Sequence, residues 1–168
     1  MAFRPLNIDC LTLNYRVVGQ ITIGSAGVVG TLVDSSKTFL EVRSARMARV
    51  TAADTLGQQA NVCRVMKNQI VAVGIEKRED IGPSSIRFGK VACMAVRLTT
   101  SVYEIEGTLE WSGRFDFPML LSDAMPDFIP LFDASLGAIL FPSTFIQSPI
   151  MLFNRKHLAS FVVMNEAI

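Results

Sequence analysis

A near-repetition at a spacing of about eighty-eight residues constrains this chain more than any other feature. Tyr15-Arg16-Val17-Val18-Gly19-Gln20-Ile21 recurs as Tyr103-Glu104-Ile105-Glu106-Gly107-Thr108-Leu109. Leu32-Val33-Asp34 followed by Phe39 recurs as Leu121-Ser122-Asp123 followed by Phe128, and Val42, Ser44 and Ala45 fall against Leu131, Asp133 and Ala134. The register closes again at Ile70, Ala72 and Val73 against Leu158, Ser160 and Phe161. Self-similarity that keeps its register over most of a chain predicts two copies of one supersecondary unit.

Within each copy the hydrophobic residues alternate with a period of two, as in Leu11, Leu13, Tyr15 and Val17 or Tyr103, Ile105, Gly107, Leu109 and Trp111. Such alternation predicts strands with one face in a core. Further short strands are expected at Thr38–Arg43, Val62–Met66, Ile70–Ile75, Val91–Leu98, Phe128–Phe132, Ile150–Phe153 and Leu158–Met164. Helical signals are scarce, with a short turn expected at Ser122–Ala124 ahead of Pro126. Glu76–Ser85 turns from charged residues to Gly, Pro and Ser and reads as the link, dividing the chain into 1–83 and 84–168. Polar or proline-bearing turns are expected at Ala52–Asn61 and Pro142–Pro149.

Each half alone would bury only about 60–65% of its extended surface, so the halves are expected to pack on each other or on further copies. Half the residues are hydrophobic and only 18% are charged, against roughly 25% in a typical soluble domain. That shortage predicts apolar surface on the protomer and hence a homo-oligomer or a larger protein assembly. Between Arg43 and Arg97 stand ten Lys/Arg against four Asp/Glu, whereas from Leu98 onward there are three against eight. Opposite charge in the two halves can draw a polyanion to the first or bring the first half of one copy against the second half of another; the near-neutral total favours self-association. No apolar run approaches the roughly 20 residues of a membrane span. Met1-Ala2-Phe3-Arg4-Pro5 lacks the pattern of a secretory signal, and a cytoplasmic location is expected. Cys10, Cys63 and Cys93 are scattered, which argues for free thiols over a zinc site or disulfides.

Few residues stand in patterns that carry chemistry. Gly24-Ser25-Ala26-Gly27-Val28-Val29-Gly30 lacks the Gly-Lys-Ser/Thr ending of a phosphate loop and the spacing of a dinucleotide fingerprint, so a turn or strand bulge is the expected role. His157 is the single histidine, no Ser or Cys stands in a nucleophile motif, and Asp34 and Asp123 read as turn or cap residues. The expected chain is therefore not an enzyme and needs no cofactor or metal. Two polar turns at matching positions, Lys67-Asn68-Gln69 and Asn154-Arg155-Lys156-His157, could frame a ligand. The candidate contacts for a ligand or RNA are Arg43, Arg46, Arg49, Arg64 and Lys67 for phosphates, with Asn154, Lys156 and His157 on the second turn. Phe115, Phe117, Phe128, Phe132, Phe141, Phe145, Phe153 and Phe161 concentrate in the acidic half, which favours a packed core or an interface over base stacking.

Val17-Val18-Gly19-Gln20-Ile21 with Lys67-Asn68-Gln69-Ile70-Val71-Ala72-Val73, and Ile105-Glu106-Gly107-Thr108-Leu109 with Arg155-Lys156-His157-Leu158-Ala159-Ser160-Phe161, resemble the small-barrel pattern of the Sm and Hfq families. Lys156-His157 resembles the Lys-His turn of Hfq, where the turn contributes to a uridine-binding pore. Leu121-Ser122-Asp123, Phe128–Ala134 and Asn154–Leu158 are similar to an uncharacterised bacterial small-β domain; the first copy has Val33 for the Ser and lacks the Lys-His pair. The resemblance implies an all-β fold of two tandem small barrels related by internal duplication, and no assigned activity. The expected function is a non-enzymatic structural or interaction module that self-associates through its apolar second repeat, with an Sm-like RNA- or small-ligand-binding protein as the alternative.

Overall fold

The alternating segments form strands, and the computed structural model, which describes residues 2–83 and 89–165, is all-β apart from short helices and turns. Strands β1 (Arg4–Thr12), β2 (Tyr15–Ile23), β3 (Phe39–Arg49), β4 (Ala60–Met66) and β5 (Ile70–Ile75) come from the first half. Strands β6 (Val91–Thr99), β7 (Tyr103–Ser112), β8 (Phe128–Ala138), β9 (Phe141–Asn154) and β10 (Ser160–Val163) come from the second. Helix α1 (Gly27–Val33) lies between β2 and β3, and the one-turn helix α2 (Phe117–Leu120) lies between β7 and β8. All ten strands join one antiparallel sheet in the order β10-β6-β7-β8-β9-β5-β1-β2-β3-β4.

The two halves of that order match position by position. The pairs Asp9↔Gly74, Cys10↔Val73 and Leu11↔Ala72 between β1 and β5 have counterparts eighty-eight residues on in Arg97↔Val162, Leu98↔Phe161 and Thr99↔Ser160 between β6 and β10. Both second strands break register at their glycine, between Val18 and Gln20 and between Glu106 and Thr108. Opposite each break stands a non-glycine residue in the left-handed region, Ser44 and Asp133, both at φ 49°. A Cβ on Gly19 would lie 2.6 Å from Val42 Cγ1 and 2.7 Å from the Arg43 carbonyl oxygen, so only glycine lets the bulged third strand come this close.

The bulges also explain why two strands outrun their expected ends. β3 continues past Arg43 to Arg49, and β8 past Phe132 to Ala138, because the extra residue bends the strand without ending its pairing. β9 occupies the whole of the expected turn at 142–149, since the chain reverses earlier, at Ile139 and Leu140, and pairs back along β8. The glycine-rich stretch forms α1 in place of a bulge. Gly27, at φ +67°, opens the helix where a Cβ would lie 2.5 Å from Gly82 Cα, and Val28, Val29 and Leu32 bury its inner face. The described residues of the expected link are tied to the first half: Val29 N–H donates to the Ile81 carbonyl, and buried Asp80 pairs with Arg4. Ser84 and Ser85, at its far end, lie outside the described residues.

The expectation of two tandem small barrels is corrected by the pairing of β5. To close the first half on itself β5 would have to bond β4, but its outer edge is taken by β9, through Ala72↔Phe153, Val73↔Leu152, Gly74↔Met151 and Ile75↔Ile150. One open sheet therefore crosses the boundary at residue 83, and each core draws on both halves. Ile150, Leu152 and Phe128 pack with Ile8, Val17, Ile21 and Val73 in one core. Leu11, Val50, Val71 and Ala72 pack with Tyr103, Ile105 and Phe153 in the other. Side-chain hydrogen bonds also span the halves, among them Tyr103 Oη donating to the Thr12 carbonyl at 2.5 Å and Thr144 Oγ1 donating to the Val50 carbonyl at 2.6 Å. No helix among the described residues is long and apolar enough to cross a membrane.

Candidate functional site

The two polar turns meet. Residues Lys67–Gln69 and Arg155–His157 each form a single 3-10 turn leading into the last strand of their half. Because β9 pairs with β5, the second turn is carried against the first, and His157 Nε2 lies 2.8 Å from the Asn68 carbonyl oxygen. Asn154, buried to 4% exposure, fixes both: its Nδ2 donates to the Ile70 carbonyl at 3.0 Å and its Oδ1 caps Lys156 N–H at 3.1 Å. Lys156 Nζ reaches Asp127 at 3.1 Å, and Arg155 bonds Asp127 together with the Leu121 and Met125 carbonyls. The cations of this second turn are thus largely occupied in holding the segment after α2.

Lys67 sits at the end of a groove of about 560 Å³ between α1 and β3, with Lys37, Arg43, Phe39 and the exposed Phe3 among its walls. Its ammonium donates to the Asp34 carbonyl at 2.8 Å, and burial lowers its pKa, an effect opposed by the nearby Asp34 carboxylate. Asp34 fills the turn role expected of it, with Oδ1 accepting the Ser36 N–H at 2.9 Å. Arg43 and Arg64 share Glu41 at 3.6 and 3.7 Å, loose exposed pairs that contribute little stability. The other expected contacts are elsewhere. Arg46 donates to the Gly57 and Leu56 carbonyls, and Arg49 lines a separate cleft of about 440 Å³ beside Leu140 and Phe141. The structure therefore sets Arg43 and Lys67 along one groove, with Arg64 reaching its wall residue Glu41, holds Asn154, Lys156 and His157 together on the turn beside Asn68, and places Arg46 and Arg49 elsewhere.

The sequence reading missed the two sheet edges. Among the described residues β4 and β10 each have a strand partner on one side only. β4 exposes Val62 at 37%, Met66 at 44% and the Arg64 side chain at 60%, and β10 exposes Val162 at 48%. Neither strand contains Pro or Lys, the residues that usually guard an edge. Beside β10 the aromatic cluster is half open. Phe115 stacks on Phe161 at 5.8 Å between centroids, Phe117 leans on Phe161 at 5.4 Å, and Trp111 meets Phe115 edge-on at 5.3 Å. Phe115, Phe117, Phe161 and Val163 line a slot of about 290 Å³. The signal for the edges was the absence of charge from Ser160–Val163, which strand assignment alone does not weigh.

Cys10 is buried, and desolvation, aided by Asp9, pushes its thiol far up. Burial raises Cys63 as well, and Cys93 is exposed. Among the described residues no cluster of three or more His, Cys, Asp or Glu is placed to hold a metal. No protein-family profile, curated protein or solved structure matches this chain.

Proposed function

We propose that this chain is a non-enzymatic assembly module, built from two copies of one five-stranded unit, whose partner is a further copy of itself. One observation carries the reading. Inside the chain the fifth strand of the first half is bonded to the fourth strand of the second, and the two strands with open edges among the described residues, β10 and β4, are the remaining fifth and fourth strands. A strand edge is a ready template for another chain, and the edges of this sheet are the two complementary halves of a junction the chain already makes once. The low charged fraction and the half-open aromatic cluster of the second half add the apolar surface such contact needs. On this reading the setting is the cytoplasm, where three free thiols stay reduced. Light scattering over micromolar concentrations tests it: masses above the 18.4 kDa protomer are expected, and a strict monomer refutes it.

A second reading, binding of single-stranded RNA, is favoured by the groove that sets Phe3 and Phe39 beside Lys37, Arg43 and Lys67. Aromatic faces stack bases and cations hold phosphates, so retention should fall steeply with salt. Absence of RNA retention at about 50 mM salt, well below the range in which phosphate contacts are screened away, refutes this reading.

A further inference from the structure

We infer that the aromatic slot beside β10 is the receptor for Val62 and Arg64 on β4 of a second copy, so that copies join head to tail in one fixed register. The inference rests on the self-association reading and specifies its contact. At the internal junction Ile150 and Leu152, alternate residues of β9, enter the core of the first half opposite Ile75 and Val73. The counterparts of Ile150 and Leu152 on β4 are set by pairing with the preceding strand. Phe132↔Ile150 corresponds to Arg43↔Val62, and Pro130↔Leu152 corresponds to Glu41↔Arg64. The counterparts of Val73 and Ile75 are Phe161 and Val163, fixed by pairing with β6.

Repeating the junction between copies therefore brings Val62 against Val163 and Arg64 against Phe161. Val62 and Arg64 are exposed, while their neighbours Cys63 and Val65 face their own core. Phe161 and Val163 are only half-buried, and the space over them is the slot that Phe115 and Phe117 flank. The change of residue type is matched on the two sides. Where the internal junction sets Leu152 against Val73, the outer one sets a guanidinium against a phenyl ring, a favourable cation–aromatic pair once water is excluded. The chain already makes such a contact, with Arg78 stacked 4.6 Å over the Phe132 ring. Contact between two different surfaces leaves one of each free on the growing assembly, which then closes into a ring or extends as a filament.

The register is tested by cross-linking. Gly74↔Met151 maps onto Val162 against Cys63 of the next copy, close enough for a disulfide across directly opposed strand positions. In a Cys93→Ser background, Val162→Cys should give intermolecular disulfide ladders on mild oxidation, whereas Phe161→Cys, which faces Arg64, should give none. Arg64→Glu, a surface change, should weaken assembly at least tenfold by light scattering. Assembly of the unmodified chain with no Val162→Cys ladder, or with no effect of Arg64→Glu, overturns this contact while leaving self-association standing. A monomeric unmodified chain overturns both.

Discussion

Replacing Ile21 by Ala tests whether the two halves share one cooperative fold. Ile21 lies on β2, is 2% exposed, and packs with Ile8, Val17, Leu152 and Ile150. Deleting three buried carbons from a core that includes residues of the other half should cost about 2–5 kcal/mol, the usual range for a large-to-small change with incomplete collapse. For a chain of this length each kcal/mol moves the melting temperature by about 2–4 °C, so a loss of about 3 kcal/mol shifts it by roughly 6–12 °C. The informative probe is Trp111, the single tryptophan, which sits on β7 in the opposite core with its indole N–H donating to the Arg114 carbonyl at 3.1 Å. Because β5 and β9 join the cores, Trp111 fluorescence should report the lowered melting temperature together with far-ultraviolet circular dichroism, in one transition. An unshifted Trp111 transition beside an earlier one seen by circular dichroism would refute the shared fold and restore two independent domains.

The paired glycines should respond unequally. Gly19→Ala meets Val42 and the Arg43 carbonyl at 2.6 and 2.7 Å, while Gly107→Ala meets its nearest neighbour at 3.1 Å, so urea midpoints should fall further for the first. Tyr103→Phe removes the hydrogen bond to Thr12 that spans the halves and leaves that carbonyl without it, lowering stability by about 1–3 kcal/mol by urea titration. Iodoacetamide at pH 8 should label Cys93 first, Cys63 more slowly, and Cys10 only after unfolding, as read by mass spectrometry; native labelling of Cys10 would contradict its burial. Burial raises Cys10 and Tyr103, so above pH 9 or so the folded state keeps protons that the unfolded chain releases; stability should decline as pH rises past that point, and a flat profile to pH 10.5 would contradict it.

The strands were legible because alternation is local: β5 begins and ends where its apolar run does, and β4 starts two residues before the expected Val62. The continuation of β3 and β8 was hidden because a left-handed Ser44 or Asp133 carries no mark distinguishing a bulge from a strand end. Pro142 and Pro149 suggested a turn, yet both are accommodated in β9 as the hairpin partner of β8. Closure was not legible at all. Whether β5 bonds β4 or β9 depends on which partner reaches its outer edge, a choice between segments about eighty residues apart that no window of sequence contains. For the same reason neither the contact of His157 with the Asn68 carbonyl nor the placement of Arg46 and Arg49 away from the groove could be read from the sequence.

The central claim is that two unlike edges of this chain recognise each other, and mixing singly blocked variants tests it most directly. Val62→Asp with Arg64→Glu blocks β4, and Ser160→Asp with Val162→Asp blocks β10; all four side chains are solvent-exposed, so both proteins should fold. Each variant alone should scatter as the 18.4 kDa protomer, and an equimolar mixture should give a species of twice that mass and no larger, because each partner supplies the one edge the other has lost. A mixture that stays at the protomer mass, or a single variant that still assembles, would contradict the account.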